Sequence, residues 1–346
     1  MEKIRLGKTN MMVSRIGFGG IPIQKDTEAD AVAVVKKSLE LGINYIDTAY
    51  AYGTSEVRIG KALKGLHQRP FIATKTSPER EGIKDHIKHS LNTLGIDSID
   101  LYQFHNVSDI NTLKNILTPG GPLEILQEAK KAGQIKHIGI SSHQIDVAKE
   151  IVKSGQFETI MYPFNFVMCE AADELLQLAR KFDMGVIAMK PFAGGRIANI
   201  TLAIKYLWQY PDVVILPGIA TIKELAQIIR VLEMPQMMPE EQQELLRLRE
   251  TYTTRFCRHC DYCMPCPQSI VVSHVMDYEP LSMSFPGENF YLGPMGDVFA
   301  DAAKCDNCGK CDAKCPYNIP VSAMLAEYVR DFAAKKKKYQ AQKSRK

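Results

Sequence analysis

Residues 44–60 read NYIDTAYAYGTSEVRIG, and this stretch decides the fold. Ile43, Tyr45 and Ile46 make a short apolar, partly β-branched run that stops at a carboxylate, Asp47. A tight segment over residues 48–53 follows, and Ser55 with Glu56 opens a helix. A buried strand ending in an acid, with Tyr52 five residues on, has the layout of an α/β barrel rim. There the chemistry sits at the carboxyl ends of the strands. Taken alone, either residue has an ordinary packing explanation.

Working outward, similar apolar runs recur at residues 15–19, 71–75, 100–105, 137–141, 159–164, 186–190 and 213–217. With residues 45–48 they make eight, and a helix-like pattern lies between each pair. The runs are continuous rather than alternating, which suits strands buried on both faces of a parallel sheet. Helix punctuation agrees. Asp26 or Thr27 can cap a helix ending at Gly42, and Pro122 suits a first helical position with Gly133 closing that helix. Asp173, Leu175, Leu176 and Ala179 continue the pattern before Gly185. Eight βα units favour a closed (β/α)8 TIM barrel over an open doubly wound sheet, and no GxGxxG follows the first strand. Residues 4–13 form a hairpin suited to plugging the barrel's bottom.

The chain has 346 residues, 45% hydrophobic and 24% charged, enough for a large core and one small appended module. The charged start MEKIRLGKTN lacks the apolar run of a signal peptide, and no window resembles a membrane span, so a cytoplasmic protein is expected. The net charge of +4 is local. Residues 335–346 carry seven Lys or Arg and no acid, leaving −3 for the rest, which offers no nucleic-acid surface. Eight of nine cysteines fall between residues 257 and 315. We therefore expect a barrel over residues 1–235, a cysteine-rich domain over 236–330, and a frayed basic tail over 331–346.

The strand ends carry the chemistry. The second run ends at Asp47, the third at Lys75 and the fourth at His105, with Tyr52 on the loop after the second. Adjacent strands lie about 4.8 Å apart, so these groups can meet on one rim. A lone strand-end lysine or histidine is bland. Four polar groups at equivalent positions are hard to explain as packing.

In its stretches IRLGKTNMMVSRIGFGG, YIDTAYAYGTSE, IATKTS, DLYQFHN, HIGISS, MKPFAGGRI and ILPGIAT the chain resembles an aldo-keto reductase over about residues 3–235. The resemblance implies a catalytic tetrad of Asp47, Tyr52, Lys75 and His105, and a cofactor NADP or NAD. In that reading Tyr52 protonates the carbonyl oxygen as hydride arrives, and Lys75 lowers the cost of the phenolate. Asp47 orients Lys75, and His105 orients the carbonyl. Implied cofactor contacts are Gly19, Gly20, Ser141, Lys190, Gly194, Gly195, Gly218 and Lys223. The pattern departs from the family's at Ser142, Met161 and Met189, where Asn, Gln and an aromatic residue are usual. Glu224 beside Lys223 would repel a 2′-phosphate. The KPFAGGR loop also has a purely structural reading as a turn.

Beyond residue 235, Pro235 and Pro239 punctuate the end of the barrel, and residues 240–251 read as a polar helix. Cys257, Cys260, Cys263 and Cys266 follow at two-residue gaps, with Pro267 behind them. Cys305, Cys308, Cys311 and Cys315 repeat the pattern with a three-residue last gap, ahead of Pro316. This is the bacterial ferredoxin signature for 4Fe–4S clusters, and it implies a small, mainly helical and loop-like iron–sulfur domain. Disulfides suit exported chains, and structural zinc would leave the third and fourth cysteines of each run unexplained. In two-cluster ferredoxins the fourth Cys serves the other cluster. That gives Cys257, Cys260, Cys263 and Cys315 to one and Cys266, Cys305, Cys308 and Cys311 to the other. The short gap before Cys266 keeps a single cluster as the alternative. Cys169 is expected to be a small buried hydrophobe. Residues 267–304, which contain Pro280, Pro286, Gly287, Gly293, Pro294 and Gly296, read as loop.

The expected function is reduction of a small-molecule carbonyl, or oxidation of the alcohol, by hydride transfer. The clusters then transfer electrons with a carrier protein or are structural. The alternative is a redox sensor that binds nucleotide without turnover.

Overall fold

The computed structural model describes residues 1–253 and 255–343, and the chain divides into two compact units. The first comprises Met1–Ala193 with Ile197–Met238, the second Gly194–Arg196 with Pro239–Lys346.

In the first unit eight parallel strands follow one another around a sheet: β3 (Phe18–Gly19), β4 (Tyr45–Asp47), β5 (Phe71–Thr76), β6 (Ile99–Phe104), β7 (Ile135–Ser141), β8 (Thr159–Pro163), β9 (Gly185–Met189) and β10 (Val213–Leu216). Parallel bridges from Ile16 to Ile215 and from Gly19 to Gly218 join the last strand to the first. The helices lie where the periodicity puts them. Thr27 caps α1 (Glu28–Glu40) by accepting from the Asp30 backbone N–H, and Pro122 opens α5 (Pro122–Lys131) at its first turn. The other helices that bear on the site are α2 (Ser55–Leu63), α3 (Ile83–Leu94), α6 (Ile145–Ser154) and α9 (Ile222–Val231).

The antiparallel hairpin β1 (Lys3–Arg5) and β2 (Met12–Ser14) sends Leu6, Met11 and Val13 into one core with the barrel interior, which includes Tyr45, Ala73, Leu101 and Val214. It meets the start of β9, where Lys8 N donates to the Asp183 carbonyl at 2.6 Å, so it closes the amino-terminal end of the barrel. Chemistry is left to the other end.

The second unit has no strand among its described residues. Helix α10 (Pro239–Thr253) covers the expected polar helix. Two expectations fail. Residues 267–304 are mostly helical, as α11 (Val272–Met276), α12 (Tyr278–Ser284), α13 (Gly287–Tyr291) and α14 (Met295–Ala302). The prolines misled because Pro286 and Pro294 are N-caps and Pro280 lies in a first turn, positions that need no backbone N–H. The basic tail is not frayed up to residue 343. It continues α16 (Val321–Lys343), where Tyr339 packs on Tyr291 and Lys343 pairs with Glu288 at 2.6 Å. Residues 344–346 lie outside the described part. No helix among the described residues is long and apolar enough to cross a membrane.

Candidate active site

Asp47 is the last residue of β4, Lys75 is the fifth of the six in β5, and His105 follows β6 directly. Tyr52 stands on the β4–α2 loop, which a chain of short bonds holds rigid. Thr48 N donates to Ala73 O, Tyr50 N to Lys75 O, Tyr52 N to Ala49 O and Ser55 N to Tyr52 O. Ser55 Oγ ties the loop to the Gly20 carbonyl at 2.8 Å. The tyrosine is therefore presented by consecutive turns rather than by a free loop.

The four side chains converge. Lys75 Nζ donates to Asp47 Oδ1 at 2.5 Å and to the Thr48 carbonyl at 2.7 Å. The same ammonium lies 5.0 Å from the Tyr52 ring centroid. The Tyr52 and His105 rings meet edge to face with centroids 5.5 Å apart. Asp47 and Lys75 are buried, and Tyr52 and His105 are partly open to solvent.

Electrostatics assigns protonation states. Burial works against the Lys75 charge, but Asp47 and Tyr52 outweigh it and hold the ammonium above its ordinary pKa. Burial also raises the Asp47 carboxyl, opposed by the Lys75 charge and by donors from Lys75 and Gln103. For His105, burial and the Lys75 cation push the imidazole down to about 3, so it is neutral. Tyr52 lies above its ordinary value, because burial exceeds the lowering by Lys75. The expected depression of the phenol by Lys75 is thus present but not decisive. The resting group is a protonated tyrosine.

The residues expected to hold a cofactor are placed less pointedly. Ser141 is buried and its Oγ accepts from Asn106 N at 2.8 Å, leaving a second lone pair for another donor. Lys190 takes a left-handed φ of 54° after β9, and Lys223 is exposed in the first turn of α9. Glu224 accepts from Ala220 N and Thr221 N in a capping box, which gives that acid a structural task. Packing alone requires the glycines. An added Cβ would stand 2.7 Å from Pro217 O at Gly19, 2.9 Å from Ser55 Oγ at Gly20 and 2.9 Å from Pro22 Cγ at Gly218. At Gly194 and Gly195 it would meet Pro280 at 2.4 Å and Met283 Sδ at 2.9 Å, so the structural-turn reading accounts for that pair. Met161 and Met189 belong to the barrel's interior packing.

Gln103 escaped the sequence reading. It is fully buried, and its Nε2 donates to Asp47 Oδ2 at 3.0 Å. The signal was available, since residue 103 precedes His105 by two on a strand and so shares its face.

In the second unit the eight cysteines ring two small cavities. Cys257, Cys260, Cys263 and Cys315 line one; Cys266, Cys305, Cys308 and Cys311, with Cys263 again, line the other. No group of three or more His, Cys, Asp or Glu among the described residues converges closely enough for one metal ion. A polynuclear cluster asks for something different, thiols spread around a cavity, each reaching its own iron.

Comparisons with known proteins agree with the barrel. The profile of the Aldo/keto reductase family matches residues 15–200. Among similar proteins, L-galactose dehydrogenase of Arabidopsis thaliana is 32% identical over 220 residues, covering 58% of this chain and 68% of the relative. The NADH-specific methylglyoxal reductase of Escherichia coli is 30% identical over 231 residues, covering 58% and 70%. The holo form of an aldo-keto reductase from Bacillus halodurans superposes with a TM-score of 0.62 at 28% identity, over 72% of this chain and 96% of that one. A barrel, a matching family profile and relatives of one kind meet in one conclusion: this chain belongs to the aldo/keto reductase family and is an oxidoreductase of that type.

Proposed function

We propose that the barrel reduces a small-molecule carbonyl, or oxidises the corresponding alcohol, with Tyr52 as the general acid and base. One observation carries the reading: a buried ammonium fixed by Asp47 lies beside a protonated tyrosine that faces a neutral histidine. When bound, the nicotinamide of NADP or NAD would supply or accept the hydride. Tyr52 gives its proton to the carbonyl oxygen, and Lys75 stabilises the phenolate left behind. Neutral His105 donates a hydrogen bond to the same oxygen and orients it. Ser141, Lys190 and Lys223 are the side chains that would hold the carboxamide and phosphates.

The second unit would hold two 4Fe–4S clusters in the cavities described, with Cys257, Cys260, Cys263 and Cys315 on one and Cys266, Cys305, Cys308 and Cys311 on the other. When bound, such clusters supply one-electron transfer, which would suit an electron-carrier partner. The cysteines' task is to present eight thiolates around two voids.

Anaerobically purified protein assayed on a carbonyl panel with NADPH and with NADH tests the catalytic reading. Turnover is expected, and Tyr52→Phe should lower it about 10²- to 10⁴-fold with the fold intact by circular dichroism. A fully active Tyr52→Phe variant would remove Tyr52 from the mechanism. Absence of turnover with every carbonyl, in protein that still binds nucleotide, would favour a sensor.

A further inference from the structure

We propose that Gln103 is a positioning residue that locks the Asp47 carboxylate toward Lys75 and thereby holds the proton donor in place. The inference rests on the tetrad reading above. Gln103 lies on β6 in register with Lys75 on β5, directly beside the ion pair. Its Nε2 takes one Asp47 oxygen at 3.0 Å while Lys75 Nζ takes the other at 2.5 Å. A carboxylate with one donor can swing about its Cβ–Cγ bond, whereas one with a donor on each oxygen cannot. The amide's orientation is dictated by charge, because turned over its carbonyl would face Oδ2, acceptor against acceptor.

The surroundings are shaped for this side chain. On the far side β7 places Gly139 in register with Gln103, and a Cβ at 139 would stand 3.0 Å from Gln103 Cγ and 2.2 Å from Thr159 Oγ1. Any larger residue at 139 would drive the amide off the carboxylate. Gln103 Oε1 is buried and meets no protein donor. An amide whose carbonyl oxygen is buried without a donor is a poor filler for a barrel interior. The bond it does make goes to the anion that holds Lys75.

Full-length Gln103→Met and Gln103→Glu variants test this, with Tyr52→Phe as reference. Methionine keeps the length and loses the donor. Its melting temperature should equal or exceed that of the unaltered protein, while kcat falls about 10- to 100-fold with KM within about twofold. The acid limb of its pH profile should move to higher pH, since a carboxylate that loses a donor is protonated more easily. In Gln103→Glu the two facing carboxyls share one proton, so the protonated one can still donate. Most of kcat should return near neutral pH and disappear as pH rises and the shared proton leaves. An unchanged kcat and acid limb in Gln103→Met, beside an inactive Tyr52→Phe, overturns the proposal alone. So does a loss that tracks melting temperature only. A fully active Tyr52→Phe overturns the tetrad reading and this proposal with it.

Discussion

Lys75 keeps its charge where burial by itself would strip it, and the reason is local: Asp47 Oδ1 at 2.5 Å and the Thr48 carbonyl at 2.7 Å. Removing one partner of such a pair leaves the other charged and desolvated. Lys75→Met should therefore cost about 3–5 kcal/mol of stability together with activity. The double variant Asp47→Asn, Lys75→Met should recover most of that stability and none of the turnover. Urea midpoints set against kcat separate the two effects, and a double variant as unstable as the single one would refute the account. His105 adds a second expectation. With its imidazole held down to about 3, it is neutral from about pH 5 to 8. His105→Gln should lower the rate across that range without changing the profile's shape, and a limb that disappears with His105 would show that it titrates there. Asp47, Lys75 and His105 were legible because each is a polar group where an apolar run stops, and Tyr52 because it stands on the loop just beyond one. Gln103 was passed over although it shares the face of His105 two residues on, since a buried amide inside such a run looks like an interruption of the core.

Among the elements, Glu158 between α6 and β8 ties the lower end of the barrel together. Its carboxylate accepts from His137 at 2.6 Å, from Ile138 N at 2.8 Å and from Lys130 at 3.0 Å, linking β8 to β7 and α5. Burial opposes its charge, yet these donors outweigh burial and bring it to about 2, below its ordinary 4.5. A depressed carboxyl stabilises the fold above its ordinary value, and that contribution is lost as pH falls from about 4.5 to about 2. Glu158→Gln should cost about 2 kcal/mol at neutral pH, allowing for screening at the partly exposed Lys130, and close to nothing near pH 2. Denaturant melts at both pH values check this, and a pH-independent difference would exclude the carboxylate as the cause. The barrel strands were readable because parallel strands buried on both faces are continuously apolar. The short helices over residues 272–302 were not, because proline and glycine mark helix starts as readily as loops.

At the scale of the whole molecule, cysteine spacing announced a second unit, and the ferredoxin pattern gave the crossed grouping of thiols that the two cavities show. Residues 257 and 315 are far apart in sequence, yet Cys257 and Cys315 border one cavity, while Cys266 borders the other with Cys305, Cys308 and Cys311. Helix α16 and its neighbours bring the two runs together: Ser322, at the start of α16, is bonded to Asp312 and lines the second cavity. If the voids hold 4Fe–4S clusters, ligand loss should follow cavities rather than sequence runs. Cys257→Ser and Cys315→Ser should each lose the same cluster, about four irons of eight, and leave the same EPR signal. Their double variant should be no poorer in iron than either single, whereas Cys257→Ser with Cys305→Ser should lose both clusters. The informative pair is Cys257→Ser with Cys266→Ser. Ligation crossed between the runs empties both sites in that variant, while ligation run by run leaves one intact. Iron and labile sulfide retained there at half loading would therefore refute the crossed arrangement.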